Sequence, residues 1–599
     1  MRREWFGVLI ALSLICACEP VDNGPSSYAG RYDAKSLSQP PVADRIFING
    51  NVYSFSWKQP NGNGISDVSA PKHSDQWLAD AQAIAISGGK VLAVGANDDI
   101  RHYANELTEV IDLKNATVIP GLIDSHVHIE QLSNRLNEVD LVGSETPSEV
   151  VSRIQNYLQK NPKSIDQWII GYGWDEGAWN GQYPDRKLLD RYFPDHAVVL
   201  KGRHGFALWA NSQALVESNI DARTEAPVGG QILKDAQGLP SGILLNRATD
   251  LILKSIPKPS SEQFEDSLLR AFEEMARSGY VAIHQAGADR HLLTALQNLS
   301  ERDQLPLRVY VLLSSRDPEL MQQWLSAGPS KDPNGFLDIG GVKAYYDGSL
   351  GARGALLIDD YTDKHGVTGV GGVDYQFPRE LVTAAIQRGF QLAIHAIGDA
   401  GNRQVLDLYQ EQYSLNPSIR QNRHRIEHAQ VLSETDLARF SELDIIASMQ
   451  PAHAVEDRLW AERRLGRKRM QHAYAWRSLR QHQVDVLLNS DAPGSDHSFF
   501  YGLHSAVTRQ DKMHQPTNGW YAGQALTAEE VVFGYTRWPA YAAFRELQSG
   551  QIAPGYWADF TVVDRDILNV AEQSPPALLD GLVVMTIVNG RLVYREGQI

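Results

Sequence analysis

Residues 116–130 read ATVIPGLIDSHVHIE. Apolar and β-branched residues run up to Pro120-Gly121, Leu122-Ile123 renew the run, and Asp124, His126 and His128 follow. This is the pattern of a buried strand that delivers polar chemistry at its end. Side chains alternate along a strand, so histidines at i and i+2 face one side and can grip a single metal ion. Two ligands alone do not hold a catalytic ion, and a bare pair of histidines is more often a surface or core feature. The reading therefore requires further ligands downstream.

Downstream, helical and strand patterns alternate. EDSLLRAFEEMARSG (265–279) has helical periodicity and precedes the strand YVAIHQAG (280–287); PRELVTAAIQRG (378–389) precedes FQLAIHAIGD (390–399). Such alternation predicts a parallel sheet, and its length favours a closed (β/α)8 TIM-like barrel of the α/β class, whose chemistry gathers at the C-terminal strand ends. Four candidate ligands fall at such ends. Lys343 lies in IGGVKAYY (339–346), ahead of the glycine-rich DGSLG (347–351); His395 ends an apolar run; His428 closes HRIEH; and Asp491 follows VDVLLNS (484–490). The 33 positions from His395 to His428 fit one barrel unit and the 63 from His428 to Asp491 fit two, which suits strands five, six and eight.

PGLIDSHVH (120–128), followed in order by Lys343, His395, His428 and Asp491, resembles the amidohydrolase superfamily of metal-dependent hydrolases. The resemblance implies that His126, His128, Lys343, His395, His428 and Asp491 hold one or two divalent cations. Zinc is the expected metal, since borderline nitrogen and oxygen ligands suit it best. It also implies a Lys343 carboxylated by carbon dioxide, which becomes an anionic oxygen ligand able to bridge two cations. The competing reading pairs Lys343 with a carboxylate such as Asp347 and leaves one metal.

The 215 positions between His128 and Lys343 exceed what three barrel units need by about 110, so an insertion is expected at about 132–255. Its segments WIIGYGWDEGAW (168–179) and RHGFALWAN (203–211) are similar to those of an amidohydrolase-3 type branch that includes N-substituted formamide deformylases. On that likeness the insertion covers the barrel mouth, with Trp174 and His204 as candidate substrate contacts. Gln450 and His453 in MQPAHAVED (449–457) resemble the branch's strand-seven motif and are further candidates. His284 is followed by Gln285 where the motif carries aspartate, so no proton-transfer role is assigned to it.

The ends of the chain carry a different pattern. Short strands with Asn49-Gly50 and Gly88-Gly89 turns near the start, and with Asn589-Gly590 near the end, read as hairpins. Neither set has enough strands to bury a core, so residues 45–119 and 548–599 are expected to share one β-sandwich beside a barrel at 120–547. Residues 1–18 read as a lipoprotein signal: Met1-Arg2-Arg3 is basic, an apolar core follows, and Ile15-Cys16-Ala17-Cys18 makes Cys18 the expected lipidation site. Residues 19–44, rich in proline, serine and glycine, are expected to be a flexible linker. A lipid anchor at the bacterial cell envelope, on a periplasm-facing surface, follows from this reading.

A formal charge of −16 with no basic run argues against nucleic acid as a partner. There is no cysteine beyond Cys18, hence no disulfide, and no GxSxG elbow for covalent acyl catalysis. The expected reaction is attack of a metal-activated hydroxide on a small-molecule amide or similar C–N compound, Asp491 acting as general base and then acid. A non-catalytic, metal-containing envelope protein that binds or regulates is the alternative; an intact Asp491 weighs against it. Oligomeric state, including a homo-oligomer, is left open.

Overall fold

A computed structural model describes residues 41–74, 76–162, 167–175, 179, 182–202, 207–227 and 230–597. The expected signal segment, Cys18, nearly all of the linker, and His204 lie outside the described residues.

Eight parallel strands form the central sheet: Leu122–Val127 (β1), Tyr280–Ala288 (β2), Arg308–Ser314 (β3), Leu337–Tyr345 (β4), Gln391–Ala396 (β5), Arg425–His428 (β6), Ile446–Met449 (β7) and Val486–Leu488 (β8). They neighbour one another in chain order. The ring comes round to its start where Val127 bridges Ala492 and His128 N donates to Ala492 O at 2.9 Å. It is a nearly closed TIM-like barrel. The strands are buried on both faces, as a parallel sheet wrapped by helices must be, and so their sequences are near-continuous apolar runs. The helix Ser261–Arg277 shows how the outer layer docks. Ser260 and Gln263 form a capping box at its start, and Phe264, Leu268, Phe272 and Met275 place its apolar stripe in the main core.

Residues 116–130 are not one strand. Thr117–Pro120 belongs to a five-stranded sheet with Asn51–Val52, Phe560–Val563, Val583–Val588 and Arg591–Arg595, and β1 begins only after Gly121. A Cβ on Gly121 would lie 2.4 Å from Val281 Cγ2, so this joint needs glycine to pass the barrel wall. A second sheet joins Lys90–Gly95, Ala83–Ser87, Arg45–Ile48 and Glu109–Asp112. Phe47, Ile84, Ile86 and Ile111 from this sheet meet Val118, Phe560, Val562 and Ile587 from the other in one core.

The Gly88-Gly89 and Asn589-Gly590 turns join antiparallel neighbours. Asn49-Gly50 does not: Arg45–Ile48 pairs with Ala83–Ser87 and Glu109–Asp112, whereas Asn51–Val52 pairs with Thr117–Pro120 in the other sheet. The left-handed Asn49 (φ 57°) carries the chain across the sandwich rather than back along its own strand.

Between β1 and β2 a six-stranded mixed sheet runs from Val139–Asp140 to Pro240–Asn246, with its own buried residues Val150, Ile154, Ile169, Trp174, Leu200 and Trp209. Among the described residues no helix is long and apolar enough to cross a membrane.

Candidate metal centre

His126 is the last residue but one of β1, and His128 stands just past the strand's end; their ring centroids lie 5.3 Å apart. Behind His126, Nδ1 donates to Glu427 Oε2 at 2.6 Å, and neither side chain is exposed to solvent. That bond leaves His126 Nε2 bare on the inner side, 3.4 Å from Asp491 Oδ1 and 3.3 Å from Lys343 Nζ. His128 Nε2 reaches the same Asp491 oxygen at 3.3 Å.

His428 is held similarly. Gln450 Nε2 donates to Asn489 Oδ1 (2.8 Å), which turns Gln450 Oε1 toward His428 Nδ1 (3.0 Å). Ring contacts at 5.2 Å to His126 and 4.5 Å to His395 close the circle. One donor atom each from His126, His428 and Asp491 lies within 4.8 Å of the others. His428 (φ 74°) and Asp491 (φ 56°) both adopt left-handed backbone, a strain of about 1–3 kcal/mol apiece that clusters at functional sites.

Burial, reinforced by the Lys343 charge, pulls His126 down to about 4; burial takes His428 to about 3 and His395 well below the ordinary imidazole value. The imidazoles are therefore neutral, the form that donates to a cation. Burial works against the charge on Asp491, but the His126 and His128 imidazoles beside it hold its carboxyl well below the usual range. His395 Nε2 is buried without a hydrogen-bond partner; Asp347 Oδ1 is 3.7 Å away.

Lys343 is fully buried, and burial lowers its amine to about 8. Its expected alternative partner is engaged elsewhere: Asp347 accepts the backbone N–H groups of Leu356, Ile397 and Gly398, each at 2.9 Å. Among the described residues no carboxylate comes within ion-pairing distance of Lys343 Nζ, whose close polar neighbour is His126 Nε2.

This donor set fits a divalent cation. Neutral imidazoles and one ionised carboxylate converge on a single point, and Glu427 and Gln450 occupy the far nitrogens as backing partners do in metal sites.

The other candidate residues divide. His453, on the helix Pro451–Asp457, brings Nε2 to 3.9 Å from Asp491 Oδ2 and so stands at the rim. Gln450 is buried behind His428, with Oε1 at 3.0 Å from His428 Nδ1. Trp174 is enclosed in the insertion's core, stacked on Trp179 at 5.7 Å with its indole N–H donated to Leu200 O (2.8 Å).

Sequence reasoning passed over the polar layer beneath the ligands. Arg425 donates to Glu427 Oε1 (2.8 Å) and to Ser125 O (2.7 Å), and its Nη1 lies 2.9 Å from His284 Nδ1. Asp124 accepts from Ser490 Oγ at 2.6 Å, tying the start of the His126 segment to that of Asp491. A signal was present: Arg425 and Glu427 alternate within a four-residue strand whose positions are all buried, and charges survive there only when paired.

A model of the amidohydrolase family matches residues 109–594. The chain is 30% identical over 523 residues to YtcJ of Bacillus subtilis, covering 86% of this chain and 96% of that protein. It is 27% identical over 538 residues to the N-substituted formamide deformylase of Arthrobacter pascens, covering 86% and 95% respectively. The crystal structure of an uncharacterised metal-dependent hydrolase from Pyrococcus furiosus superposes with a TM-score of 0.69 at 26% identity, over 88% of this chain and 99% of that one.

Proposed function

The chain belongs to the amidohydrolase family of metal-dependent hydrolases, and from that premise we propose that it cleaves an amide or related C–N bond of a small molecule. The observation that carries this reading is the Asp491 carboxylate, placed where His126, His128 and His453 all face it. His126, His128, Lys343, His395, His428 and Asp491 would hold one or two divalent cations, zinc being the metal that their nitrogen and oxygen atoms suit best. A bound cation supplies Lewis acidity, which polarises a carbonyl and makes water ionisable near neutral pH.

Asp491 is the general base and acid. Its carboxylate takes the proton from water as the new C–O bond forms, and returns it to the leaving nitrogen as the C–N bond breaks. His453, at the rim, faces the substrate beside that carboxylate. Lys343 is the site of carboxylation: its buried amine, drawn down to about 8, offers a neutral nitrogen that adds to carbon dioxide with loss of a proton. The resulting carbamate is an anionic oxygen donor in place of a buried amine. Cys18 is proposed as the lipid-bearing residue of an envelope protein on the strength of Ile15-Cys16-Ala17-Cys18; the mass of the N-terminal peptide from a membrane fraction tests it.

The deciding experiment is Asp491→Asn in metal-reconstituted protein assayed on N-formyl and N-acyl amines. Turnover is expected to fall by about 10²–10⁴ while metal content is largely retained. Undiminished turnover in the variant removes Asp491 from the chemistry. A wild-type protein that takes up metal yet hydrolyses none of the panel favours the binding-protein reading.

A further inference from the structure

Tyr345 stands two residues beyond Lys343 on β4, so both side chains face the same side of the strand. Its ring lies 5.6 Å from that of His395 and 5.1 Å from Lys343 Nζ. On the neighbouring strand, Ser315 N donates to Lys343 O (3.0 Å), and Arg316 follows just past the end of β3. The Arg316 guanidinium lies 3.9 Å over the Tyr345 ring and is exposed.

Other arginines at this end of the barrel are neutralised. Arg290 meets Asp317 at 3.1 Å and Glu319 at 2.8 Å, Arg353 meets Asp363 at 3.0 Å, and Arg458 pairs with Asp511. Among the described residues Arg316 has neither an ion pair nor a side-chain hydrogen bond, and the Tyr345 hydroxyl has no partner either. Space is left beside them by Gly287 of β2: at φ +93° it carries no side chain where a Cβ would sit 3.5 Å from Lys343 Cγ and 3.7 Å from the Tyr345 hydroxyl. Two donors that have no acceptor among the described residues thus stand beside Lys343 and His395.

We propose that Arg316, shelved on Tyr345, receives a carboxylate of the substrate, so that the preferred substrates are acylated amines bearing a carboxylate close to the scissile C–N bond. This deepens the hydrolase reading and rests on it. A guanidinium presents its N–H groups in a plane that matches a carboxylate, and a ring beneath it fixes that plane and strips water from one face. Arg316 is then a specificity-determining residue, which distinguishes it from the groups that handle protons.

The test compares N-formyl-leucine with N-(3-methylbutyl)formamide, which differs only in lacking the carboxylate. The wild-type ratio of kcat/KM is expected to favour the anion by about 10- to 100-fold, as a charge-assisted pair gives. In Arg316→Gln the ratio falls to about one, chiefly through KM for the anion, and Arg316→Lys keeps part of it. Metal content and thermal unfolding of both variants should match wild type. A ratio that persists in Arg316→Gln, or a wild type that does not discriminate, overturns the proposal. If wild type hydrolyses neither compound, the C–N reading fails separately. Calorimetric titration of metal-loaded protein with N-formyl-leucine then decides: binding lost in Arg316→Gln supports the carboxylate site, and equal or absent binding refutes it.

Discussion

Replacing Glu427 with glutamine exchanges one oxygen for an NH2 group and leaves the volume of the site unchanged. Both carboxylate oxygens are in use, one on His126 Nδ1 at 2.6 Å and the other on Arg425 Nε at 2.8 Å, and all three side chains are fully buried. An amide satisfies only one of these donors. If its oxygen faces His126, the NH2 meets the Arg425 N–H. If it is flipped, the NH2 meets His126 Nδ1 and forces the proton onto Nε2, the nitrogen needed for the metal. Removing one member of a buried ion pair costs about 3–5 kcal/mol, because the other charge is left uncompensated. Loss of a backing partner weakens metal affinity by about 10- to 100-fold. Both should appear in Glu427→Gln, read by denaturant unfolding of the metal-free protein and by competition with a chromophoric chelator. Glu427→Asp, which keeps the charge, should recover part of the unfolding free energy. Metal affinity within twofold of wild type, despite the lost stability, would refute the argument and leave Glu427 as a counter-ion to Arg425 alone.

Elemental analysis should find about two metal equivalents per chain if Lys343 is a carboxylated bridge; one equivalent demotes it. Lys343→Ala should lose most turnover and regain part of it with propionate, which supplies the missing carboxylate; an unrescued variant that still holds two metals contradicts the carbamate. In metal-free protein kept free of carbon dioxide, Lys343 binds its proton less tightly folded than unfolded, its amine falling from 10.5 to about 8. The unfolded state therefore holds more protons between those values, and stability should rise by about 3 kcal/mol from pH 8 to pH 10.5. Lys343→Met should lack that rise, and urea unfolding at several pH values checks it. Gly121→Val should destabilise by about 1–3 kcal/mol or more, since its Cβ would already overlap Val281; unchanged thermal unfolding would mean that the joint tolerates a side chain.

The candidate ligands were legible because barrel chemistry obeys two simple periods, alternation within a strand and a near-constant interval between strands. Lys343, His395, His428 and Asp491 each follow an apolar run, and the structure places them at or near the ends of the fourth, fifth, sixth and eighth barrel strands. What supports the ligands was not legible in the same way. Glu427 and Arg425 were visible as charges in a buried strand, but their partners, His126 and His284, come from strands far away in the chain. Only closure of the barrel decides those pairings. Asn49-Gly50 has the composition of a hairpin turn, yet the strand after it finds a better partner in Thr117–Pro120, and tertiary pairing overrides local turn chemistry.

The sandwich shared by the two chain ends also sets a timetable. Thr117–Pro120 lies between Asn51–Val52 and Phe560–Val563, and Leu122 N donates to the hydroxyl of Thr561, 439 residues further along. At ribosomal speeds that interval corresponds to a wait on the order of 20 to 90 s between the emergence of one strand and that of its neighbour. Until then Thr117–Pro120, which runs on into the first barrel strand, has Asn51–Val52 on one side and an open edge on the other, and a chain halted before residue 560 lacks the clasp that closes that edge.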